Sequence, residues 1–374
     1  MKILAATAYC INTPHFETEL EIIQSHIDKG DEVTLLGCNF SFPSCDVNLK
    51  HRRDVCFKCI GRRKAGIKSL SRYVEIKPII HLTKENIVDV EELKSRLINE
   101  NELDQLMIGN FDIGYGILSS LVSAKREPRP DLSQNELSKI ASDMLVAATS
   151  TYLSIKNYLA SGQYDRVYVY NGRYAIMRAV LRACQASDVE CFTHEKGGTL
   201  DRYALFKNAL PHDRKIFQNN LKQSWESAEE DERASVAKAF FEERRNAVDQ
   251  SWFSFIKEQE EGKLPNTWDD SKRNIVLFNS SEDEFSAIGR QWEEKIYTSQ
   301  NEGLKRLVSE FIDHPDWHFY LRVHPNLKNI NNSQTREINL LDYPNLTVIP
   351  AASPISSYAL MDKAEKVIVF GSTM

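Results

Sequence analysis

The chain of 374 residues is too long for one ordinary hydrophobic core and is about the right length for two domains. Its composition, 42% hydrophobic and 27% charged, is that of a soluble globular protein. Its net charge of −6 argues against a general nucleic-acid-binding protein, whose surface would be basic, and leaves room for a local basic patch. No apolar run approaches the roughly 20 residues that cross a bilayer, so we expect a cytoplasmic protein whose membrane contact, if any, is peripheral and at the inner face.

The first 40 residues predict a β-α-β unit. An apolar strand at "KILAATAYC" precedes a helix at "ETELEIIQSHIDKG", in which one face carries Leu20, Ile22, Ile23 and Ile27. A second strand follows at "DEVTLLGC". This spacing predicts a parallel strand pair with a right-handed crossover, and a unit that begins so early argues against a signal peptide.

The next part of the chain departs from this pattern. Residues 39–70 are polar and rich in cysteine, which predicts an irregular insertion. Residues 86–107 and 134–160 are typical of helices, and the Gly, Ser and Pro content of residues 109–131 predicts a loop between them.

The α/β pattern then resumes. Strands are predicted at 164–172 and 189–198 with a helix between them, and a long charged helix at about 228–262. A Gly- and Pro-containing linker at 261–274 divides the chain into an amino-terminal α/β domain, residues 1–262, and a second α/β domain, residues 273–374. Four apolar strands alternate with helices in the second domain, at "NIVLFNS", "HFYLRVHP", "NLTVIP" and "KVIVFG".

Polar residues follow these strands. In open parallel sheets, ligands bind beyond the carboxyl ends of the strands, so these residues are the first candidates for a site. In the first domain they are Asn12, Asn171 to Arg173, and His194 to Gly198; in the second they are Asn279 to Asp283, His324 to Asn326, Ser353 to Ser357, and Gly371 to Thr373.

These residue types suit a phosphate-containing ligand. Small hydroxyl residues at helix starts offer side-chain oxygens and backbone N–H groups to a phosphate. His324 can donate to a phosphate, ribose or base oxygen, and Pro325 fixes the turn that aims it. The sequence has neither a G-x-G-x-x-G motif nor a P-loop motif, which argues against a dinucleotide or P-loop site. The alternative is structural, because Ser-Pro and Gly-Ser turns are common helix starts.

Four cysteines cluster in the 39–70 region and its edge: Cys38, Cys45, Cys56 and Cys59. Four thiolates can close a tetrahedral structural zinc site, and the last two form a C-x-x-C pair. The alternative is a set of reduced thiols without metal. The basic residues Arg62 to Lys64 and Lys68 predict a solvated face or a contact with anionic lipid or polysaccharide.

Three ordered segments of the second domain carry a family resemblance. "FNSSEDEF", "YLRVHPNLK" and "NLTVIPAASPISSYALMDKAEKVIVFGST", together with "VYVYNGRYAIMRAVLRAC" and "HEKGG" in the first domain, resemble the bacterial capsule polysaccharide biosynthesis proteins, a group of GT-B-like glycosyltransferases. The resemblance implies two Rossmann-like domains with a cleft between them, a nucleotide-sugar donor on the second domain, and no metal requirement for catalysis.

The resemblance also implies particular donor-binding residues. A His-Pro motif for the nucleotide corresponds to His324 and Pro325, and a Ser/Thr pair for its phosphate corresponds to Ser372 and Thr373. Further donor-binding candidates are Ser280, Ser356 and Ser357. The family pattern continues with a helix that begins Gly-x-Glu, whereas this sequence stops at Met374. We therefore expect a second domain that is incomplete at its carboxyl end and a chain that ends inside the donor site.

Sugar transfer requires a base for the acceptor hydroxyl and groups that hold the leaving phosphate. Glu195 is the first candidate base because it follows a strand beside a Gly pair, and Asp283 and Glu282 are rivals. The candidates for contact with phosphate or an anionic acceptor are Asn171, Arg173 and Lys196. For Glu195 and Lys196 the alternative is an exposed ion pair.

Two classes of function follow. The first is a glycosyltransferase that moves a sugar from a nucleotide-sugar to a polysaccharide or a lipid-linked glycan. The second is a non-catalytic relative that binds nucleotide or glycan as a scaffold, because the donor site is expected to be incomplete. Binding of CMP, UDP or GDP by the folded protein discriminates between them.

Overall fold

The computed structural model of the chain describes residues 1–95, 100–197, 201–246, 248, 258–293 and 296–371. Their contacts divide the chain into two compact units. The first unit contains Met1–Lys125, Pro130–Asn219 and Ala287–Gln291; the second contains Arg126–Arg129, Asn220–Ser286 and the described residues from Trp292 onward. All strands of the first unit precede residue 262 and all strands of the second follow residue 272, while the domain boundary at residues 261–274 stays a prediction.

The first unit is built on one six-stranded sheet. Its strands are β1 Lys2–Thr7, β2 Glu32–Gly37, β3 Glu75–Pro78, β4 Arg166–Tyr170, β5 Glu190–Lys196 and β6 Tyr203–Lys207. Its helices are α1 His15–Asp28, α2 Arg53–Ile67, α3 Lys84–Ser95, α4 Ile113–Lys125, α5 Asn135–Gly162 and α6 Ala175–Ala186, and the 3₁₀ turn Glu100–Gln105 precedes α4.

The strand order of this sheet is β3-β2-β1-β4-β5-β6. β1 is parallel to both β2 and β4, which confirms the predicted β1–β2 pair, and β6 at the edge is antiparallel to β5. The order therefore reverses between β1 and β4, and in sheets of this kind ligands bind outside the carboxyl ends of the strands at such a point.

Alternating side chains bury one face of the first sheet. Ile3 and Ala5 of β1 and Leu35 of β2 are almost completely buried against Ile22 and Ile23 of α1. Each large aliphatic side chain buried in this way stabilises the folded state by about 1.5–3 kcal/mol. The apolar face predicted for the first helix is therefore the face that holds α1 on the sheet.

Two segments of the first unit differ from the expectation. Residues 53–67, expected in an irregular insertion, form α2, the crossover between β2 and β3. Residues 113–125, expected as a loop, form α4. Its glycines serve close packing: a Cβ at Gly116 would lie 3.0 Å from the Cα of Ala175, and one at Gly114 would lie 1.6 Å from the carbonyl oxygen of Leu103.

A short segment from late in the chain completes the first unit. The Ser119 hydroxyl donates to the carbonyl oxygen of Ala287 at 3.0 Å. The fully buried guanidinium of Arg178 donates to the carbonyl oxygen of Ile288 and lies 3.4 Å from the Asp112 carboxylate. Residues 287–291 are thus partners of buried polar groups that come more than 100 positions earlier.

The second unit contains a parallel four-stranded sheet in the order β10-β7-β8-β9. Its strands are β7 Arg273–Asn279, β8 Trp317–Arg322, β9 Leu346–Ile349 and β10 Lys366–Phe370. Helix α7, Arg214–Ser227, spans the division between the two units, which falls after Asn219. The helices of the second unit are α8 Glu230–Arg245, α9 Glu282–Phe285, α10 Gln300–Glu310, α11 Ser333–Ile338 and α12 Ser357–Lys363, with a 3₁₀ turn at Pro325–Leu327.

Both faces of the second sheet are covered, which explains the continuous apolar runs of its central strands. Ile275 and Leu277 of β7 pack in one cluster, while Val276 and Phe278 pack in another on the opposite face. Among the described helices of the chain, none combines the length and apolar composition needed to cross a membrane.

Candidate functional site

The carboxyl ends of β7 and β8 bring Asn279 and His324 together. The two strands are neighbours in register, with Phe278 opposite Arg322. The backbone N–H of His324 donates to the Asn279 side-chain oxygen at 2.9 Å. Asn279 is fully buried, and its Nδ2 group has no hydrogen-bond partner among the described residues. An unpaired buried donor costs about 1–3 kcal/mol, so this amide is suited to a ligand oxygen.

The turn after β8 fixes the His324 ring. The backbone N–H of Asn326 donates to His324 Nδ1 at 3.2 Å, and Pro325 opens the 3₁₀ turn that places this N–H. Burial lowers the pKa of His324 to about 4; Asp283 opposes this, and Arg322 and Arg126 add to it. The ring is therefore neutral near pH 7, with its proton on Nε2, the arrangement of a hydrogen-bond donor.

Ser280 lies inside a hydrogen-bond network at the same strand ends. Its hydroxyl accepts from Gln300 at 2.5 Å, its N–H donates to Gln300 at 3.0 Å, and its carbonyl accepts from Gln334 at 2.8 Å. Gly371, after β10, has a φ of +67°, and a Cβ there would lie 3.1 Å from the Ser280 hydroxyl. Ser280 thus ties the end of β7 to α10 and α11 and packs closely against Gly371, and its donor contact stays a prediction.

The two acids after β7 are paired with arginines of the second unit. Asp283 is 3% exposed and bonds the Arg126 guanidinium and the Ser281 hydroxyl. Arg126 also donates to the carbonyl oxygen of Asn326 at 3.1 Å, which ties the β7 and β8 ends to each other. Glu282 lies 3.4 Å from Arg129. These contacts give both carboxylates a positioning role; the base role of Asp283 stays a prediction.

Replacing Arg126 by alanine is expected to lower the free energy of unfolding by about 1–3 kcal/mol, because Asp283 would stay buried without its cation. Arg245→Ala is the matched control: its partner Asp362 lies at 2.9 Å, but both side chains are about half exposed, at 49% and 51%. Such a surface pair contributes at most about 1 kcal/mol. Denaturant titration measures the free energy of unfolding of both variants. An equal loss of stability in Arg126→Ala and Arg245→Ala would contradict the role of Asp283 as a buried partner.

The two serines at the start of α12 already have hydrogen-bond partners within the protein. Ser356 caps α12 by accepting from the Ala359 N–H at 3.1 Å, and the Ser357 N–H donates to Gln259 at 2.7 Å. These contacts favour the structural alternative that the sequence left open, and donor binding by this pair stays a prediction. Ser372 and Thr373 lie outside the described residues.

In the first unit, Asn171 and Gly172 form the turn after β4. Both have positive φ, +53° and +74°, and a Cβ at Gly172 would lie 2.9 Å from the Thr193 side chain. The Asn171 side-chain oxygen accepts from the Arg173 N–H at 3.1 Å. Arg173 is buried and donates to the Ser119 hydroxyl at 2.8 Å, so its contact with phosphate or acceptor stays a prediction.

Glu195 lies in a polar cluster beside the point where the strand order reverses. Its carboxylate accepts from the Asn171 side chain at 2.6 Å and from the Lys196 N–H at 3.1 Å. His15, the first residue of α1, places its Nδ1 3.9 Å from the Glu195 carboxylate, and its Nε2 lies 3.1 Å from the Tyr170 hydroxyl. The cluster therefore joins a carboxylate, an imidazole and a phenol from β5, α1 and β4.

His15 and Tyr170 remain uncharged in this cluster. Burial lowers the pKa of His15 to about 4, and His194 and Lys196 add to the effect. Burial and the nearby Glu195 raise the pKa of Tyr170 well above its ordinary value. A carboxylate held by Asn171 beside a neutral imidazole can accept a proton from a bound hydroxyl group. The base role of Glu195 and the acceptor role of Lys196 stay predictions.

The buried histidines predict how stability depends on pH. An unfolded histidine has a pKa near 6.5, so between pH 6.5 and 4 the unfolded chain binds protons that folded His15 and His324 do not. Their contribution to stability is complete above pH 6.5 and is lost as the pH falls through 4. We expect the Tm to fall across this window, and to fall less steeply in His324→Gln. A parent Tm that stays constant from pH 6.5 to 4.5 would contradict neutral burial.

The cysteines predicted as zinc ligands lie around one pocket of the first unit. Cys38, Cys45, Cys56 and Cys59 all line it, and all are free thiols. Cys56 accepts from Asn48 at 3.3 Å, and Cys59 accepts from the Cys10 N–H at 3.2 Å. Within the described part of the chain, no group of three or more His, Cys, Asp or Glu side chains is arranged to hold a metal ion. The zinc site therefore stays a prediction from the spacing alone.

Three contributors to these sites were not expected from the sequence. Arg126, His15 and Tyr170 contact residues 155 or more positions away in the chain: Arg126 contacts Asp283, and His15 contacts Tyr170. For His15 there was a signal, because it begins the helix that follows β1 and such positions face the carboxyl edge of the sheet. Arg126 lay in a segment expected as a loop and had no such signal.

The sequence matches no protein-family model and no curated protein. Among solved structures it matches the spinosyn rhamnosyltransferase SpnG complexed with spinosyn aglycone, with 11% identity over 99% of this chain and 75% of that one, at a TM-score of 0.24. It also matches the glycosyltransferase SsfS6 of Streptomyces sp. SF2575 complexed with thymidine diphosphate, with 9% identity over 99% and 76%, at a TM-score of 0.24. Likenesses of this size carry no argument for the fold or the function of this chain.

Proposed function

We propose that this protein is a glycosyltransferase that transfers a sugar from a nucleotide-sugar to a growing capsular or surface polysaccharide, or to a lipid-linked glycan at the membrane face. The observation that carries the proposal is the pair of donors at the ends of β7 and β8. His324 carries its proton on Nε2, and the buried Asn279 amide has no partner among the described residues. Two fixed N–H donors at a parallel-sheet edge suit the oxygens of a nucleotide.

The neutral state of His324 suits this role. A charged imidazole would bind any anion, whereas a neutral ring whose Nδ1 is occupied by the Asn326 N–H presents one donor in one direction. The resemblance of "RVHPN" to the His-Pro motif of the capsule family supports the assignment of the nucleotide to this sheet edge. In this proposal the donor requires no metal ion for binding or for transfer.

The first unit supplies the acceptor chemistry in this proposal. Glu195 takes the proton of the acceptor hydroxyl as that oxygen bonds to the anomeric carbon and the bond between this carbon and the phosphate oxygen breaks. Asn171 holds the carboxylate by its 2.6 Å hydrogen bond, and the hydroxyl of Tyr170 orients His15 beside it. The leaving phosphate is stabilised by hydrogen-bond donors rather than by a cation.

Nucleotide binding by the purified chain tests the proposal. CMP, UDP, GDP and thymidine diphosphate are titrated separately, and one of them is expected to raise the Tm in a saturable way, because a ligand that binds only the folded state stabilises it. Asn279→Asp is a sensitive variant, since its carboxylate has no donor for a ligand oxygen. A folded protein whose Tm responds to none of the four nucleotides would overturn the proposal and favour a scaffold.

A further inference from the structure

A small pocket lies at the carboxyl ends of β1 and β2, against α2. Its walls come from the residues after β1, the residues after β2 and one side of α2, and they are mostly apolar. The space inside is about 30 Å³, enough for about two water-sized molecules. Four of the thiols of the first unit open onto it: Cys38, Cys45, Cys56 and Cys59.

One pocket cysteine, Cys59, contacts a second cysteine, Cys10. Cys10 follows β1 and is fully buried, whereas Cys59 on α2 is partly exposed. The backbone N–H of Cys10 donates to the Cys59 sulfur at 3.2 Å. This contact places the Cys59 sulfur beside the residue that carries the second thiol, as a disulfide between the two residues requires.

A second pair of neighbouring cysteines in the same unit is inaccessible to small molecules from the pocket. Cys184 of α6 and Cys191 of β5 are both fully buried, and the neighbouring Cys191 adds to the effect of burial in raising the pKa of the Cys184 thiol. Neither of them lines the pocket. The two pairs of neighbouring cysteines therefore differ in whether a small molecule can reach one member.

We propose that Cys59 is a site of oxidation by hydrogen peroxide and that Cys10 resolves the product to a disulfide. The Cys59 sulfur attacks one peroxide oxygen, the O–O bond breaks, and a sulfenic acid and water form. The Cys10 sulfur then attacks the Cys59 sulfur, the S–O bond breaks, the S–S bond forms, and the Cys10 proton leaves with the hydroxyl group as a second water. The sum is two thiols and one peroxide giving one disulfide and two waters.

Hydrogen-bond contacts distinguish Cys59 from two other pocket thiols, Cys56 and Cys38. Cys56 contacts Asn48 and Cys38 contacts Ser41, and these partners cannot form a disulfide. The disulfide would join the end of β1 to α2, two elements 49 residues apart in the chain. A thiol reductant such as dithiothreitol reverses the reaction, so the site is a reversible covalent modification.

The test is oxidation of the reduced full-length protein with equimolar hydrogen peroxide, followed by alkylation and peptide mapping by mass spectrometry. A Cys10–Cys59 cross-linked peptide is expected, while Cys184 and Cys191 stay alkylated. Cys59→Ser is expected to lose the cross-link. Cys10→Ser is expected to retain a Cys59 sulfenic acid that dimedone traps, and Cys191→Ser, the matched control, is expected to keep the cross-link. Circular dichroism establishes that each variant is folded.

Three results would overturn the proposal. One is a Cys59 that stays reduced in the folded protein while peroxide is consumed elsewhere. Another is a Cys184–Cys191 disulfide that forms as fast as the Cys10–Cys59 disulfide. The third is stoichiometric zinc in the purified protein that blocks the cross-link, since these thiols would then serve a metal instead.

Discussion

Replacing Glu195 by glutamine is expected to lower kcat for sugar transfer by a factor of about 10²–10⁴, the usual contribution of a positioned general base. The side chain keeps its size, and its oxygen can still accept from Asn171, so the turn after β4 should remain intact. What is lost is the capacity to take a proton. KM for the donor is expected to change little, because the donor-binding residues proposed here lie on the second sheet.

The measurement is the release of free nucleotide from the donor whose nucleotide gives the largest thermal shift. Glu190→Gln is the matched control: Glu190 begins the same strand, where its carboxylate pairs with Arg166 at 2.6 Å and Lys207 at 2.5 Å. Its variant should transfer sugar normally. If Glu195→Gln is fully active and His15→Asn is not, the base is the imidazole, and the assignment to Glu195 is wrong.

Replacing His324 by alanine is expected to weaken nucleotide binding about ten- to hundredfold, since a hydrogen bond to a charged group contributes about 1.5–3 kcal/mol. Alanine also removes the acceptor for the Asn326 N–H, which could alter the turn itself. His324→Asn separates the two effects. An asparagine oxygen can accept that N–H as a cap, but the side chain lacks the imidazole Nε2 donor.

Titration calorimetry of the three proteins measures the effect, with His318→Ala as the control. His318 lies near the other end of β8, about 20 Å away along the strand, and bonds the Thr347 hydroxyl at 2.8 Å. Its replacement should leave the nucleotide affinity unchanged. A His324→Asn variant that binds as tightly as the parent would show that the turn is needed and the ring donor is not.

The sequence predicts the strands of the second sheet well, because a strand covered on both faces is continuously apolar, as "NIVLFN" is. It also predicts that Asn279 and His324 follow strands. Their direct contact depends on β7 and β8 being adjacent strands. The alternation of strands and helices along the sequence favours this adjacency, and the pairing of the two strands confirms it.

The rest of the candidate sites depends on contacts that no local pattern contains. Asp283 was expected as a rival candidate for the base, and its bond to Arg126, 157 positions earlier, has no signal in the local sequence. α4 was missed because glycines in a sequence suggest flexibility, whereas Gly114 and Gly116 allow close contact with other backbone atoms. Ser356 was expected as a ligand residue, yet its hydroxyl caps its own helix.

The return of residues 287–291 to the first unit has a consequence for biosynthesis. Among the described residues, buried Arg178 donates to the carbonyl oxygen of Ile288, and the Ser119 hydroxyl donates to that of Ala287. During translation, the first unit therefore cannot complete its polar interior until the ribosome has made part of the second. A gene fragment that stops at residue 262 would encode a chain whose buried guanidinium keeps the Asp112 carboxylate but lacks the Ile288 carbonyl, so an expressed chain should extend beyond Gln291.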